Sequence, residues 1–391
     1  MPITGLMPKE PTVDLSPPVL NGYTFEPSRA YQARDQGRLL TIQLETNLSC
    51  NLNCRYCYAE SSMKSAREAD LPWMTGIIRQ AQKLGAESIV VIGGGEPTIH
   101  PKFRNLIEFI DDRGLIPVVF TNSLNMSRNL ALFLYHHNAS VVCKLDSLRP
   151  WVQDFLVRRP GALDLIQRGM RNLRDMGFTS GEGRKLRLGV SFVCNRLNLG
   201  DTEGIWRFAR ESRIFPHLEI LNPTGRTMPG MGQYLLTREE IRKYKLHLLT
   251  IDREEYGYDW LPFTPLAGSG CLQHLYSLYI TIDGDVRPCA HTAFDQHPAL
   301  KTDSVYPFNV NRMPLEEIYR SDLFASVRTI DSHLDGKCRN CDYHSQCIGC
   351  RGYAYSMGVN EGLDPYAALR QECRQCFKYP KNDADIDYTV G

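Results

Sequence analysis

An α/β fold with a parallel sheet curled into an incomplete barrel is what this sequence predicts, and three observations predict it. Strand-like apolar runs alternate with helical stretches six times between residues 38 and about 225. Each run ends in a polar or glycine-containing loop, where an α/β fold collects its active-site residues. Beyond that region the alternation stops and a cysteine-rich stretch begins. Six units in place of eight leave a barrel unclosed. With 391 residues and 42% hydrophobic content, the chain can bury a main core and a smaller second one.

The elements follow in order. Residues 1–37 are proline-rich with little periodicity and read as an extended arm laid over the domain. LLTIQLET (39–46) alternates Leu40, Ile42 and Leu44 as a strand does, and a cysteine loop follows it. Pro72 opens a helix that Gly85 ends, and ESIVVIGG (87–94) is a buried strand running into GGGEPTIHP. Phe103, Leu106, Ile107 and Ile110 share one helical face ahead of the third strand, IPVVFTNS (116–123), and Ser127 caps the next helix. SVVCKLDS (140–147), LRLGVSFVCN (186–195) and HLEIL (217–221) complete the six, with helices around 161–176 and over GIWRFARES between them. Thr237 and Glu240 form a capping box that starts a connecting helix. The expected divisions are an arm (1–37), a barrel (38–235), a linking helix (236–270) and a cysteine-rich domain (271–391).

Composition narrows the partners. The 45 basic and 44 acidic residues give a net charge of +1, so no global field recruits nucleic acid or an anionic membrane. No apolar run of about 18 residues exists, and the first thirty residues lack a signal peptide's basic start and apolar stretch, so a cytoplasmic protein is expected. Thirteen cysteines, an odd number, fit metal clusters better than disulfides in that reducing compartment.

Residues 46–58, TNLSCNLNCRYCY, set Cys50, Cys54 and Cys57 in a C-x3-C-x2-C array. Three thiolates can hold three irons of a [4Fe–4S] cube and leave the fourth open to an outside ligand. With Tyr56 ahead of the last cysteine, the array resembles the signature of the radical S-adenosylmethionine (SAM) family, in which the open iron binds the amino and carboxyl groups of SAM. That resemblance implies a partial (βα)6 barrel, the same fold that the alternation predicts. It also implies cleavage of SAM to methionine and a 5′-deoxyadenosyl radical, with flavodoxin or ferredoxin as electron donor.

The strand ends then acquire roles by resemblance. Gly94, Gly95 and Glu96 resemble the GGE motif that receives the SAM amino group. Lys144 and Asp146, Ser191 and Asn195 stand where relatives contact the ribose and carboxylate, and Asn122 stands at a strand end that lines the pocket. Two readings of Lys144 stay open: a contact to the SAM carboxylate, or a pair with Asp146. Cys143 and Cys194 read as core thiols, and His100, His136 and His137 as turn and helix-surface residues.

Cys271, Cys289, Cys338, Cys341, Cys347, Cys350, Cys373 and Cys376 resemble the SPASM extension of radical SAM maturases, which holds two auxiliary [4Fe–4S] clusters. By resemblance Cys338, Cys341, Cys347 and Cys373 hold the outer cluster, and Cys271, Cys289 and Cys350 the inner one. Cys376, an open iron or a histidine such as His274 remain as the inner cluster's fourth ligand. The spacing departs from the family's pattern between Cys347 and Cys350, and structural zinc is the rival metal. Anaerobic sulfatase maturases carry an aspartate after the cysteine aligned with Cys289; here Ala290 and His291 follow, and His291 is the candidate base. Expected substrates are a peptide or protein, or a small carbohydrate-like natural-product intermediate. A non-catalytic electron carrier is the remaining alternative.

Overall fold

The computed structural model describes residues 15–64, 67–262, 265–268, 270–344, 347–373 and 376. Ten strands occur among them: β1 (Val19–Leu20), β2 (Thr41–Leu44), β3 (Ser88–Ile92), β4 (Ile116–Thr121), β5 (Ser140–Lys144), β6 (Lys185–Leu186), β7 (Leu188–Cys194), β8 (Phe215–Ile220), β9 (Ser277–Ile280) and β10 (Val286–Arg287). Eight form one sheet in the order β10-β9-β2-β3-β4-β5-β7-β8, with every pair parallel except β10 and β9. All six strands expected from periodicity are present, and the sheet has β8 at one edge and β10 at the other.

Helices pack on one face of the sheet. Ile89, Val91, Val119, Val141 and Cys143 join the helical side chains of Met74, Ile78, Leu106, Ile110, Leu134 and Ile166 in the main core. The opposite face holds Val90, Val118, Val142 and Phe215, and it is closed by a piece of the N-terminal segment. β1 pairs with β6, Leu20 and Tyr23 enter this inner core, and Ser88 and Ser140 donate to the carbonyls of Gly22 and Asn21. Gly22 (φ +79°) fits there because a Cβ would meet Ile116 Cγ2 at 2.9 Å. The barrel is thus plugged where its strands begin, and the strand tips on the other side are left for chemistry.

Two features differ from the sequence reading. The segment read as an extended arm carries a helix, Pro27–Asp35, which starts at a proline and buries only Ala30 and Ala33. Two alanines make too thin a stripe for a helical period to show. The segment after Cys271 contributes β9, hydrogen-bonded in register to β2 from Thr41↔Ser277 to Leu44↔Ile280, so a seventh parallel strand comes from the cysteine-rich part of the chain. The capping box at Thr237 and Glu240 forms and starts the helix Arg238–Ile251. Cys143 and Cys194 are core thiols, both fully buried.

Candidate active site

The loop bearing Cys50, Cys54 and Cys57 leaves β2 and crosses the tips of β3 and β4, held from three sides. Gly95 N–H donates to Asn47 O (2.6 Å) and Glu96 N–H to Ser49 O (2.9 Å), so the GGGE loop pairs with the residues that lead into Cys50. Asn122 Nδ2 donates to Asn51 Oδ1 (2.6 Å), and Arg55 N–H donates to Leu156 O (2.9 Å). From beyond β8, Arg226 donates through Nη1 to Cys54 O (2.9 Å) and through its backbone N–H to Cys57 O (3.1 Å). The three thiols are free. Burial, with added repulsion from Glu96 and Cys57, pushes Cys50 up to about 12; burial and the charges of Cys57 and Cys50 raise Cys54 well above the usual thiol value. Three free thiols on one loop supply the sulfur donors that an iron core takes, and they lose their protons when a metal's positive charge arrives.

The glycine loop works by close approach. A Cβ on Gly95 would lie 2.0 Å from Ser49 O, so only glycine lets the loop lie against the cysteine strand. Glu96, expected to face an ammonium group, is 2% exposed and is held mainly through Oε1, while Oε2 accepts one protein hydrogen bond and keeps a lone pair. Its Oε1 accepts from Thr98 N (3.1 Å), Thr98 Oγ1 (2.5 Å) and Thr121 Oγ1 (2.7 Å), and its Oε2 from Asn122 N (2.7 Å). Glu96 therefore braces the tip of β3 to that of β4. Asn122 spends its amide on the cysteine loop and its Oδ1 on Leu124 N (3.1 Å).

Lys144 makes the ion pair of one of its two readings, and its ammonium keeps further donors for the other. Its Nζ lies 2.9 Å from Asp146 Oδ1 and 5.2 Å from the Tyr56 ring centre. Asp146 is fully buried, accepts from Tyr56 OH, and takes Val193 N–H at 2.8 Å. Tyr56, Lys144 and Asp146 thus come together beside the cysteine loop. Ser191 lies deeper, 3.5 Å from His217 Nδ1, whose Nε2 is 3.1 Å from Tyr23 OH. Asn195 is fully buried and turns the chain locally, accepting from Leu197 N (3.0 Å) and donating to Val193 O (3.0 Å).

The late cysteines gather in one region. Burial pushes Cys289 up to about 12, with His291 N–H opposing and the charge of Cys271 adding to the rise. Cys350 is held well above the usual value by burial and then by Cys373, Cys289 and Cys271; Cys347 is pushed up to about 12 by burial, offset by Gly349 N–H, with Cys373, Cys376 and Cys338 adding. Cys350 N–H points at Cys373 Sγ (3.3 Å). Among the described residues no three His, Cys, Asp or Glu side chains converge on a single-ion site. A cube takes one thiolate per iron and needs no such convergence.

His291 faces the first cysteine loop. Its ring stands 5.6 Å from that of Tyr58, edge to face, the His291 backbone N–H reaches Cys289 Sγ (3.5 Å), and the ring Nδ1 is buried without a partner among the described residues. Burial lowers its proton affinity, Glu219 raises it and Arg287 lowers it, so the imidazole is held neutral. Glu219, at the end of β8, went unnoticed in the sequence because HLEIL reads as a plain strand. Burial pushes its carboxyl up, but His217, His291 and Lys144 outweigh that and keep it below the usual range, and its carboxylate takes no hydrogen bond from a described residue. Arg226 was equally silent, since its partners are backbone carbonyls of a distant loop.

The radical SAM superfamily profile matches residues 44–189, and an iron–sulfur cluster-binding domain, SPASM, matches residues 271–342. The AdoMet-dependent heme synthase of Nitratidesulfovibrio vulgaris is 26% identical over 348 residues, which cover 81% of this chain and 88% of that protein. Mycofactocin maturase MftC of Mycolicibacterium smegmatis is 26% identical over 338 residues, covering 83% and 82%. The crystal structure of Streptococcus suis SuiB bound to S-adenosylmethionine superposes with a TM-score of 0.65 at 17% identity over 91% of this chain and 84% of that one. That of anSMEcpe with bound AdoMet gives 0.62 at 14% identity over 84% and 94%. With the three-cysteine loop at the strand tips and the second cysteine set facing it, the chain belongs to the radical SAM superfamily and carries a C-terminal SPASM domain.

Proposed function

We propose that this enzyme is an oxidoreductase that abstracts a hydrogen from a peptide or protein and oxidises it. The cofactors are those of its family: a SAM-binding [4Fe–4S] cluster, SAM, and auxiliary iron–sulfur clusters. We assign Cys50, Cys54 and Cys57 to the first cluster; Cys338, Cys341, Cys347 and Cys373 to an outer auxiliary one; and Cys271, Cys289 and Cys350 to an inner one. When bound, the SAM cluster and SAM supply reductive cleavage and hydrogen-atom abstraction. The carrying observation is the contact between His291, two residues after Cys289, and Tyr58, directly after Cys57, which supports a substrate pocket between the two cysteine sets. A substrate held there meets both cofactor sites. The partnerless Nδ1 of His291 is available to take a proton from an oxidised carbon, and Glu219 to hold a donor group of the substrate.

The similarity to a mycofactocin maturase, and the fold shared with a SuiB structure bound to its precursor peptide SuiA (TM-score 0.63, 17% identity), support the peptide reading. The similarity to heme synthases supports a second one, oxidation of a small tetrapyrrole-like acid. The discriminating experiment measures 5′-deoxyadenosine release by anaerobically reconstituted, dithionite-reduced enzyme. Stimulation by short peptides encoded beside the gene, with a product two hydrogens lighter, is expected. Stimulation by an iron porphyrin alone would overturn the peptide reading. No release at all from a protein with its first cluster intact would overturn radical chemistry.

A further inference from the structure

Arg351 is the first residue of the helix Arg351–Asn360 and follows directly on Cys350, whose Sγ caps that helix by accepting from Tyr353 N–H (3.4 Å). It is 6% exposed. One nitrogen, Nη1, is fully used, donating to Leu369 O (2.7 Å) and Gln371 O (2.8 Å). The other two, Nε and Nη2, are buried and make no hydrogen bond to a described residue. No carboxylate among the described residues pairs with the guanidinium. A buried cation with unmade hydrogen bonds is strongly disfavoured unless an anion meets it.

The surroundings say what that anion is. A Cβ on Gly349 would touch Arg351 Nη2 at 2.9 Å, Cys373 Cβ at 2.4 Å and Cys373 Sγ at 3.2 Å, so the unpartnered end of the guanidinium and the Cys373 thiol flank one small space. Cys338 feels the positive charge of Arg351 as well as the charge of Cys373. Lys245, 1% exposed, lies within range of the same group: burial lowers its proton affinity, and Cys373, Cys350, Cys347 and Cys376 oppose that. The Arg351 guanidinium thus faces thiols in a buried space, and a four-thiolate cube is an anion whose sulfurs accept hydrogen bonds.

We propose that Arg351 is the built-in counter-ion of the outer auxiliary cluster, directing Nε–H and Nη2–H at its sulfurs and raising its reduction potential. A guanidinium favours the reduced cluster, which carries one more negative charge, so removing it makes that cluster harder to reduce. The inference rests on the outer-cluster assignment above, and the test separates the two.

The measurement is a redox titration followed by electron paramagnetic resonance, on full-length protein reconstituted after Cys50, Cys54 and Cys57 are replaced by alanine. Loss of one auxiliary signal in an added Cys338→Ala identifies the outer cluster; loss of neither overturns the ligand assignment alone. Arg351→Gln should lower the outer cluster's one-electron reduction equilibrium at least tenfold, about 59 mV, and leave the inner one within a factor of two. Arg351→Lys, which keeps the charge without the fork, should shift it less. Unchanged potentials in a fully iron-loaded Arg351→Gln would overturn the proposal. If Arg351→Gln loses the outer iron, Arg351→Lys decides: recovered iron supports the counter-ion, and equal loss assigns Arg351 to anchoring Leu369 and Gln371 and overturns it.

Discussion

Replacing Gly95 by alanine tests whether the glycine loop exists to press against the cysteine loop. The added carbon would stand 2.0 Å from Ser49 O, 2.6 Å from Ser49 C and 2.8 Å from Leu48 C, all main-chain atoms that no rotamer change can move away. The two segments must separate by about 1 Å, which breaks Gly95 N–H to Asn47 O and Glu96 N–H to Ser49 O. Two buried backbone bonds at about 1 kcal/mol each and overpacking of about 1–3 kcal/mol give a loss of about 3–5 kcal/mol. Gly94→Ala is the internal control: its nearest neighbour is Leu48 Cδ2 at 2.5 Å, a side-chain end that can swing aside, and its loss should be about 1 kcal/mol. Anaerobic urea unfolding gives the stabilities, and iron content with 5′-deoxyadenosine release gives the state of the loop. Gly95→Ala should lose stability, iron and SAM cleavage together. Wild-type stability in Gly95→Ala, or a greater loss in Gly94→Ala, would refute the argument; intact stability and iron with lost SAM binding would make the glycines ligand contacts.

Other expectations follow from single sites. Cys54→Ala should abolish 5′-deoxyadenosine formation, and full turnover by that variant would remove the three-cysteine cluster from the chemistry. Reconstituted protein should carry about twelve irons per chain, from roughly four per cluster; about four irons with two zincs would make the C-terminal cysteines structural. Asp252 is fully buried and accepts from Trp206 Nε1 (2.8 Å), Trp260 Nε1 (2.8 Å) and Arg210 Nη2 (2.6 Å), so Asp252→Ala should cost about 3–5 kcal/mol in urea unfolding by stranding Arg210. His217 is held below its usual range by burial, with Glu219 opposing and Lys144 assisting. Below about pH 6.5 the unfolded chain binds a proton there that the folded one refuses, so stability falls with acidification, by up to about 1.4 kcal/mol per pH unit. His217→Gln should flatten that part of the pH profile, and an unchanged slope would refute it.

The parts legible in the sequence were those set by local pattern. Six buried strands show as apolar runs, the first cluster loop as three cysteines in eight residues, and the Thr237–Glu240 cap as a fixed spacing. Illegible were the partners met through space. Nothing in GGGEP shows that Glu96 also ties β3 to β4, because Thr98, Thr121 and Asn122 come around its carboxylate only in the fold. Glu219 hides in an ordinary strand because its meaning comes from Lys144, His217 and His291 on other elements. β9 was masked by the cysteines on either side of it, and the helix Pro27–Asp35 by the weakness of its two-alanine stripe.

Because β9 completes the sheet beside β2, synthesis on the ribosome runs into an ordering problem. β2 emerges early, with β3 soon available on one side, but its other neighbour is encoded more than two hundred residues later. Until then β2 is a bare sheet edge, the kind of surface that recruits other strands and aggregates. Glu45 meanwhile lacks Tyr279 and the Ile282 N–H that later engage its carboxylate. Truncation before β9 should therefore yield insoluble protein, and full solubility of such a fragment would show that the β2 edge is tolerated.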